Sequence, residues 1–166
     1  FIEKYTGRRA KGGLTTFSET AAMELKAIRE SGNKIMSEIM TIMKIKDILD
    51  ISNGVLLTPG IDLETETKGA FGADLMSDVL ASIQPEAVLL TGLCNPQVVR
   101  TALIADIRAI VFVRGKMPAV ETIDLAAAEE VPLITSPLGL YELSGRLMQA
   151  GLLSLEMAMN HPFHQD

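Results

Sequence analysis

The sequence predicts an α/β fold, a parallel-sheet layered domain of repeated strand-helix units with an N-terminal helical extension. Three observations predict it. Short apolar runs enriched in branched residues begin at Ala87, Ala109 and Val131, 22 residues apart in both intervals. Each gap between them is filled by a stretch with helical apolar spacing. The composition is 48% hydrophobic but only 4% aromatic with no Trp, so the core is aliphatic, as suits helices packed on a parallel sheet.

The N-terminal region is read first. Residues 1–16 carry Gly7, Gly12, Gly13 and four basic residues, and read as a mobile stretch. Thr16-Phe17-Ser18-Glu19 resembles a capping box ahead of a helical pattern through about Arg29. Ser31-Gly32-Asn33 is expected to interrupt it before a second helix from Lys34 to about Ile42. Residues 1–42 hold seven Lys/Arg against five Asp/Glu, whereas residues 43–166 hold eight against sixteen. That shift places a boundary near Met43. The expected organisation is a helical or flexible extension at 1–42, an α/β domain at 43–152 and a C-terminal tail at 153–166.

Within the domain, Val55-Leu56-Leu57-Thr58 reads as a strand and Pro59 to Lys68 as a loop. A helix is expected from about Phe71 to Ile83, with Leu75, Met76, Val79, Leu80 and Ile83 on one face. Ala87–Thr91, Ala109–Val113 and Val131–Thr135 read as buried strands, with Pro132 near a strand start where its missing donor does least harm. Pro96 opens a helix through about Ala105, a second runs from about Ala119 to Glu130, and a third from about Leu138 to Ala150 with Gly151 as its cap. Strand-helix-strand repeats imply parallel neighbours joined by right-handed crossovers.

Charge and cysteine use bound the function. The acidic larger part repels nucleic acid and anionic membrane, so neither is an expected partner. No apolar run reaches the roughly 20 residues needed to span a bilayer. The single Cys94 has no intramolecular disulfide partner and suits a reducing compartment, so a cytoplasmic location is expected.

Gly69 and Gly72, with Ala70 and Phe71 between them, are the first candidate for chemistry: at a helix entry they would turn free N–H groups toward an anion. The competing reading is a tight turn with close packing. Asp74 and Asp78, one turn apart, offer a pair of carboxylates, yet acids in a helix's first turn are commonly solvated partners of its dipole. Cys94 precedes a helix start, where a thiol can be activated, or is a small buried apolar residue. His161 and His164 lie in the C-terminal tail, leaving the 43–150 region without a histidine base. No catalytic residue, metal or cofactor is expected.

The segment Gly69-Ala70-Phe71, continued by Ala73-Asp74-Leu75-Met76-Ser77-Asp78-Val79-Leu80, resembles the DRTGG domain. So do Leu90-Thr91-Gly92 with Asn95, Ala109-Ile110-Val111-Phe112, Val131-Pro132-Leu133-Ile134, and Tyr141 to Leu147. That module is found alone, joined to CBS domains and within bacterial phosphate acetyltransferases, and is related to the N-terminal domain of HPr kinase/phosphorylase. The resemblance spans about Met43 to Leu152. The name-giving motif is altered: its Asp-Arg pair falls on Glu64-Thr65 and its glycine pair on Gly69-Ala70. The resemblance implies a non-enzymatic regulatory, ligand-sensing or oligomerising module. The rival implication is an accessory domain or remnant of a phosphoryl- or acyl-transfer enzyme, and a third is a subunit docking through residues 1–42. The ligand-binding set expected from motif and strand ends is Gly69, Ala70, Phe71, Gly72, Asp74, Ser77, Thr91, Gly92, Asn95 and Arg114. Expected partners are a second copy of the chain and a small anionic ligand or a protein.

Overall fold

A computed structural model describes residues 21–32 and 42–157. The chain divides into two compact units, Phe1–Ile39 and Met40–Asp166. In the first, residues 21–32 form a helix, α1. It continues through Ser31 and Gly32, where an interruption had been expected; a glycine lowers helix stability without forbidding the conformation. The second helix expected from Lys34 falls almost wholly outside the described residues, as do the capping box and the two histidines.

The second unit runs β1 (Met43–Lys44), α2 (Ile45–Ile51), β2 (Val55–Leu56), β3 (Glu66–Thr67), β4 (Gly69–Gly72), α3 (Met76–Ser82), β5 (Ala87–Thr91), α4 (Pro96–Ile104), β6 (Ala109–Phe112), α5 (Val120–Ala128), β7 (Leu133–Thr135) and α6 (Leu140–Gln149). A five-stranded sheet has the order β2-β7-β6-β5-β4. β4 to β7 are mutually parallel, and β2 joins β7 antiparallel. The expected α/β layering of strand-helix units is therefore present, with one antiparallel edge.

Alternation along the strands sorts the core into two faces. Phe71, Leu89, Ile110, Phe112 and Leu133 meet Val79, Val98, Val99 and Ala126 of α3, α4 and α5. Val88, Leu90, Val111 and Ile134 meet Ile45 and Ile48 of α2 and Leu143 and Leu147 of α6. Three layers result, helices on both faces of one sheet. Because β5, β6 and β7 are covered on both sides, their sequences are continuous apolar runs. Each fully buried Leu, Ile, Val or Phe here contributes about 1.5–3 kcal/mol relative to exposure.

Two expectations fail between Pro59 and Ile83. The supposed loop contains β3, which pairs antiparallel with β1 through Met43–Thr67 and Lys44–Glu66. The supposed helix start at Phe71 is instead strand β4, and α3 begins at Met76. Gly-Ala-Phe-Gly has little intrinsic β preference, so its strand state comes from its neighbours. On one side β4 pairs with β5 over all four residues. On the other, Ala70 donates to the Leu153 carbonyl at 2.9 Å, and Leu155 donates to the Ala70 carbonyl at 3.0 Å. Residues just past Leu152 thus complete the sheet edge, and Met157 donates to the Ser82 carbonyl at 2.8 Å.

The antiparallel edge is fastened by buried hydroxyls. Thr58 Oγ1 accepts from the Leu133 N–H at 3.0 Å. Ser136 Oγ donates to the Ser52 carbonyl at 2.6 Å and accepts from the Leu138 N–H at 3.2 Å.

Candidate functional site

The carboxyl ends of the four parallel strands converge on Gly92, the residue after β5. Asp74 enters from the turn after β4, which Ala73 extends by donating to the Leu90 carbonyl at 3.1 Å. Asp74 Oδ1 accepts from the Gly92 N–H at 2.6 Å and from Thr91 Oγ1 at 3.0 Å. Arg114 and Lys116 come from the turn after β6, and Lys116 Nζ donates to the Gly92 carbonyl. Thr135 of β7 holds that turn by donating from Oγ1 to the Lys116 carbonyl at 2.8 Å.

The absent side chain of Gly92 leaves room for three charged groups. A Cβ there would lie 2.9 Å from Arg114 Nη2, 3.1 Å from Lys116 Nζ and 3.4 Å from Asp74 Oδ1. Two cationic groups and one carboxylate fill the space that a side chain would take.

Arg114 reaches this position through an uncommon backbone, with φ of +60° followed by Gly115 at +62°. A left-handed conformation costs a non-glycine residue roughly 1–2 kcal/mol. It is held by two hydrogen bonds, Arg114 N–H to the Leu138 carbonyl at 2.8 Å and Gly115 N–H to the Ser136 carbonyl at 2.7 Å. Among the described residues Arg114 makes no ion pair. Its side chain, like those of Lys116 and Asp74, is exposed to solvent.

The Gly92 N–H first, then the Thr91 hydroxyl, Lys116 and Arg114, hold the Asp74 carboxyl below its ordinary range against a partial desolvation. The carboxyl is therefore ionised at neutral pH. Cys94 behaves oppositely: desolvation raises its thiol, against the pull of Lys116. It is half-buried against the core, and its Sγ lies 3.7 Å from the Gly92 carbonyl, so it is not an activated thiolate.

The residues expected at the site divide into three groups. Asp74, Thr91, Gly92 and Arg114 are brought together. Asn95 lies nearby as the N-cap of α4, its Oδ1 accepting from the Gln97 N–H at 3.1 Å, while Ser77 is exposed in the first turn of α3. Gly69, Ala70, Phe71 and Gly72 form edge strand β4 and do not offer helix-entry N–H groups. Gly69 is buried, and a Cβ on it would meet the Leu153 carbonyl at 2.5 Å and Leu155 Cγ at 2.6 Å. Phe71 belongs to the core, while Ala70 and Gly72 line a groove of about 240 Å³ with Leu140, Ser144 and Met148. Asp74 and Asp78 do not share a helix face, because Asp74 precedes α3. Lys116 was missed; its signal was its place two residues beyond Arg114 at the same strand end. Among the described residues, no three His, Cys, Asp or Glu side chains converge for a metal ion, and no helix is long and apolar enough to cross a membrane.

The architecture is that of a layered α/β module with a polar, charged strand-end site. No protein-family model matches the chain, and no curated protein matches it. Among solved structures, it is similar in fold to the CBS and DRTGG domains of the regulatory region of pyrophosphatase from Clostridium perfringens, crystallised with its activator, diadenosine tetraphosphate. The TM-score is 0.56 at 17% identity, over 76% of this chain. This chain spans about half of that one, 54%. The likeness is one of fold and is compatible with a DRTGG-like domain.

Proposed function

We propose that the chain is a non-enzymatic regulatory module of DRTGG type that senses a small anionic ligand at the carboxyl ends of its parallel strands. The observation that carries the reading is the convergence of Arg114 and Lys116 on Gly92, beside the Thr91 hydroxyl. Open α/β sheets bind ligands beyond the carboxyl ends of their strands. A backbone N–H, a hydroxyl, a guanidinium and an ammonium form a donor set for phosphate or carboxylate oxygens. The fold likeness to a regulatory region crystallised with a nucleotide activator supports the same class of ligand.

In this reading residues 43–157 make the sensing domain, since the segment after Leu152 completes its sheet. Residues 1–42 form an extension, and the module works as a homodimer or higher oligomer in the cytoplasm.

Calorimetric titration with inorganic phosphate, ATP, diadenosine tetraphosphate and acetyl phosphate tests the reading. Saturable binding of at least one, lost in Arg114→Ala, is expected. Absence of binding across the panel by the folded wild type would overturn it.

A further inference from the structure

We infer that the Asp74 carboxylate is a built-in competitor that occupies the anion position of this site, and that a phosphate-bearing ligand binds by displacing it. The inference rests on the sensing function proposed above and concerns how that site is regulated.

The geometry is that of an anion already bound. One carboxylate oxygen takes both the Gly92 N–H at 2.6 Å and the Thr91 hydroxyl at 3.0 Å. These donors stand at the end of β5, where Thr91 and Gly92 are buried and the carboxylate caps them. Arg114 and Lys116 stand around the same glycine, as close as 2.9 and 3.1 Å to the position of its absent Cβ. Asp74 is thus the negative member of a set otherwise made of donors and cations. It hangs from an exposed turn between β4 and α3, outside regular structure, so it can swing away without breaking a strand or a helix. Lys116 is partly occupied by the Gly92 carbonyl, whereas the Arg114 guanidinium has no carboxylate partner within ion-pair distance among the described residues.

An internal competitor lowers apparent affinity by the fraction of molecules in which the site is open. Hydrogen bonds to a charged acceptor are strong enough to hold that fraction low. When an anion binds, the Gly92 N–H and Thr91 hydroxyl exchange one oxyanion for another. Asp74 moves into water, and the turn leading into α3 is released. Ligand occupancy is thereby converted into a change at the start of a helix.

The test measures binding of inorganic phosphate and of pyrophosphate to the full chain by calorimetry, with the Gly92 amide followed by NMR. Asp74→Asn and Asp74→Ala are expected to bind roughly tenfold tighter or more than wild type. Asp78→Asn removes a nearby charge without touching Gly92, and is expected to bind as wild type does. In wild type, phosphate is expected to shift the Gly92 amide resonance. Equal or weaker binding by folded Asp74 variants, with wild type still binding, overturns the competitor and leaves the sensing reading standing. Binding that leaves the Gly92 amide unmoved also overturns it, and this readout does not depend on the variants folding. No binding by wild type or any variant overturns both.

Discussion

Asp74 and Gly92 are joined by a 2.6 Å hydrogen bond that ties the turn after one parallel strand to the end of the next. The bond fixes the Asp74 carboxylate beside Arg114 and Lys116.

Gly92→Ala places a methyl group against Arg114 Nη2 and Lys116 Nζ, both ends of flexible side chains. The cations can move aside, so the stability cost is expected to stay near 1 kcal/mol, at the low end for overpacking. Phosphate affinity should fall much further, because the moved groups are the ones that bind. Comparing the melting temperature with the calorimetric Kd separates the two effects.

Arg114→Gly is expected to dissociate stability from function in the opposite direction. It relieves a left-handed backbone while adding chain entropy to the unfolded state, two effects of similar size, roughly 1 kcal/mol each. Melting should be unchanged within a few degrees while anion binding is lost. A large fall in melting temperature would mean that the guanidinium is a structural strut.

Gly69 and Gly72 should differ. Alanine at Gly69 meets the Leu153 carbonyl and Leu155, and is expected to cost about 1–3 kcal/mol and to speed hydrogen exchange at Ala70 and Leu155. Alanine at Gly72 meets only the end of Leu140 at 3.3 Å and should be nearly neutral. Thermal melts and amide exchange on the two variants check this.

Thr58→Val keeps shape but removes the acceptor of the buried Leu133 N–H. A stability loss of about 1–3 kcal/mol is expected from the orphaned donor, read by denaturant unfolding.

Acid should weaken the fold through its depressed carboxyls, Glu64, Asp74 and, beside Lys68 and Arg108, Glu86. Hydrogen bonds from Lys44 and Lys46 bring Glu64 from 4.5 down to about 2, and Asp74 is lowered as described. A carboxyl lowered on folding contributes stability that is present above its unfolded pKa and lost as pH falls through the folded one. For Glu64 that window is from 4.5 to about 2. Glu64→Gln should flatten the melting-temperature profile across it. The difference should shrink in high salt, since the pair is exposed.

Much of the architecture was readable because its signals are local. Ala87–Thr91 is continuous, apolar and bounded by Gly92, and no helix fits in so short a run. Asn95-Pro96 announces α4 by its cap and first-turn proline. β4 was unreadable for the converse reason: Gly69–Gly72 is a strand only because β5 and the Leu153–Leu155 segment flank it, and the latter lies far along the chain. β1 and β3 are two-residue pairings with no periodicity to detect. At the candidate site, the proximity of Thr91, Gly92 and Arg114 was legible because parallel strands end there. The contact of Asp74 with Gly92 was not, because it depends on a turn whose place follows from the misread strand.

The outer side of β4 is closed by the segment around Ser154, far along the chain. During synthesis, β4, β5, β6 and β7 leave the ribosome in the order in which they lie in the sheet, so each can pair with its predecessor on arrival. The first of them nevertheless keeps one flank bare until the segment after Leu152 is released. A bare flank is a template on which a neighbouring nascent chain can add a strand. The poor strand-forming tendency of Gly-Ala-Phe-Gly then acts as protection during that wait. A segment that scarcely holds itself extended offers little to a stranger, and it becomes a strand when its own chain arrives to cover it.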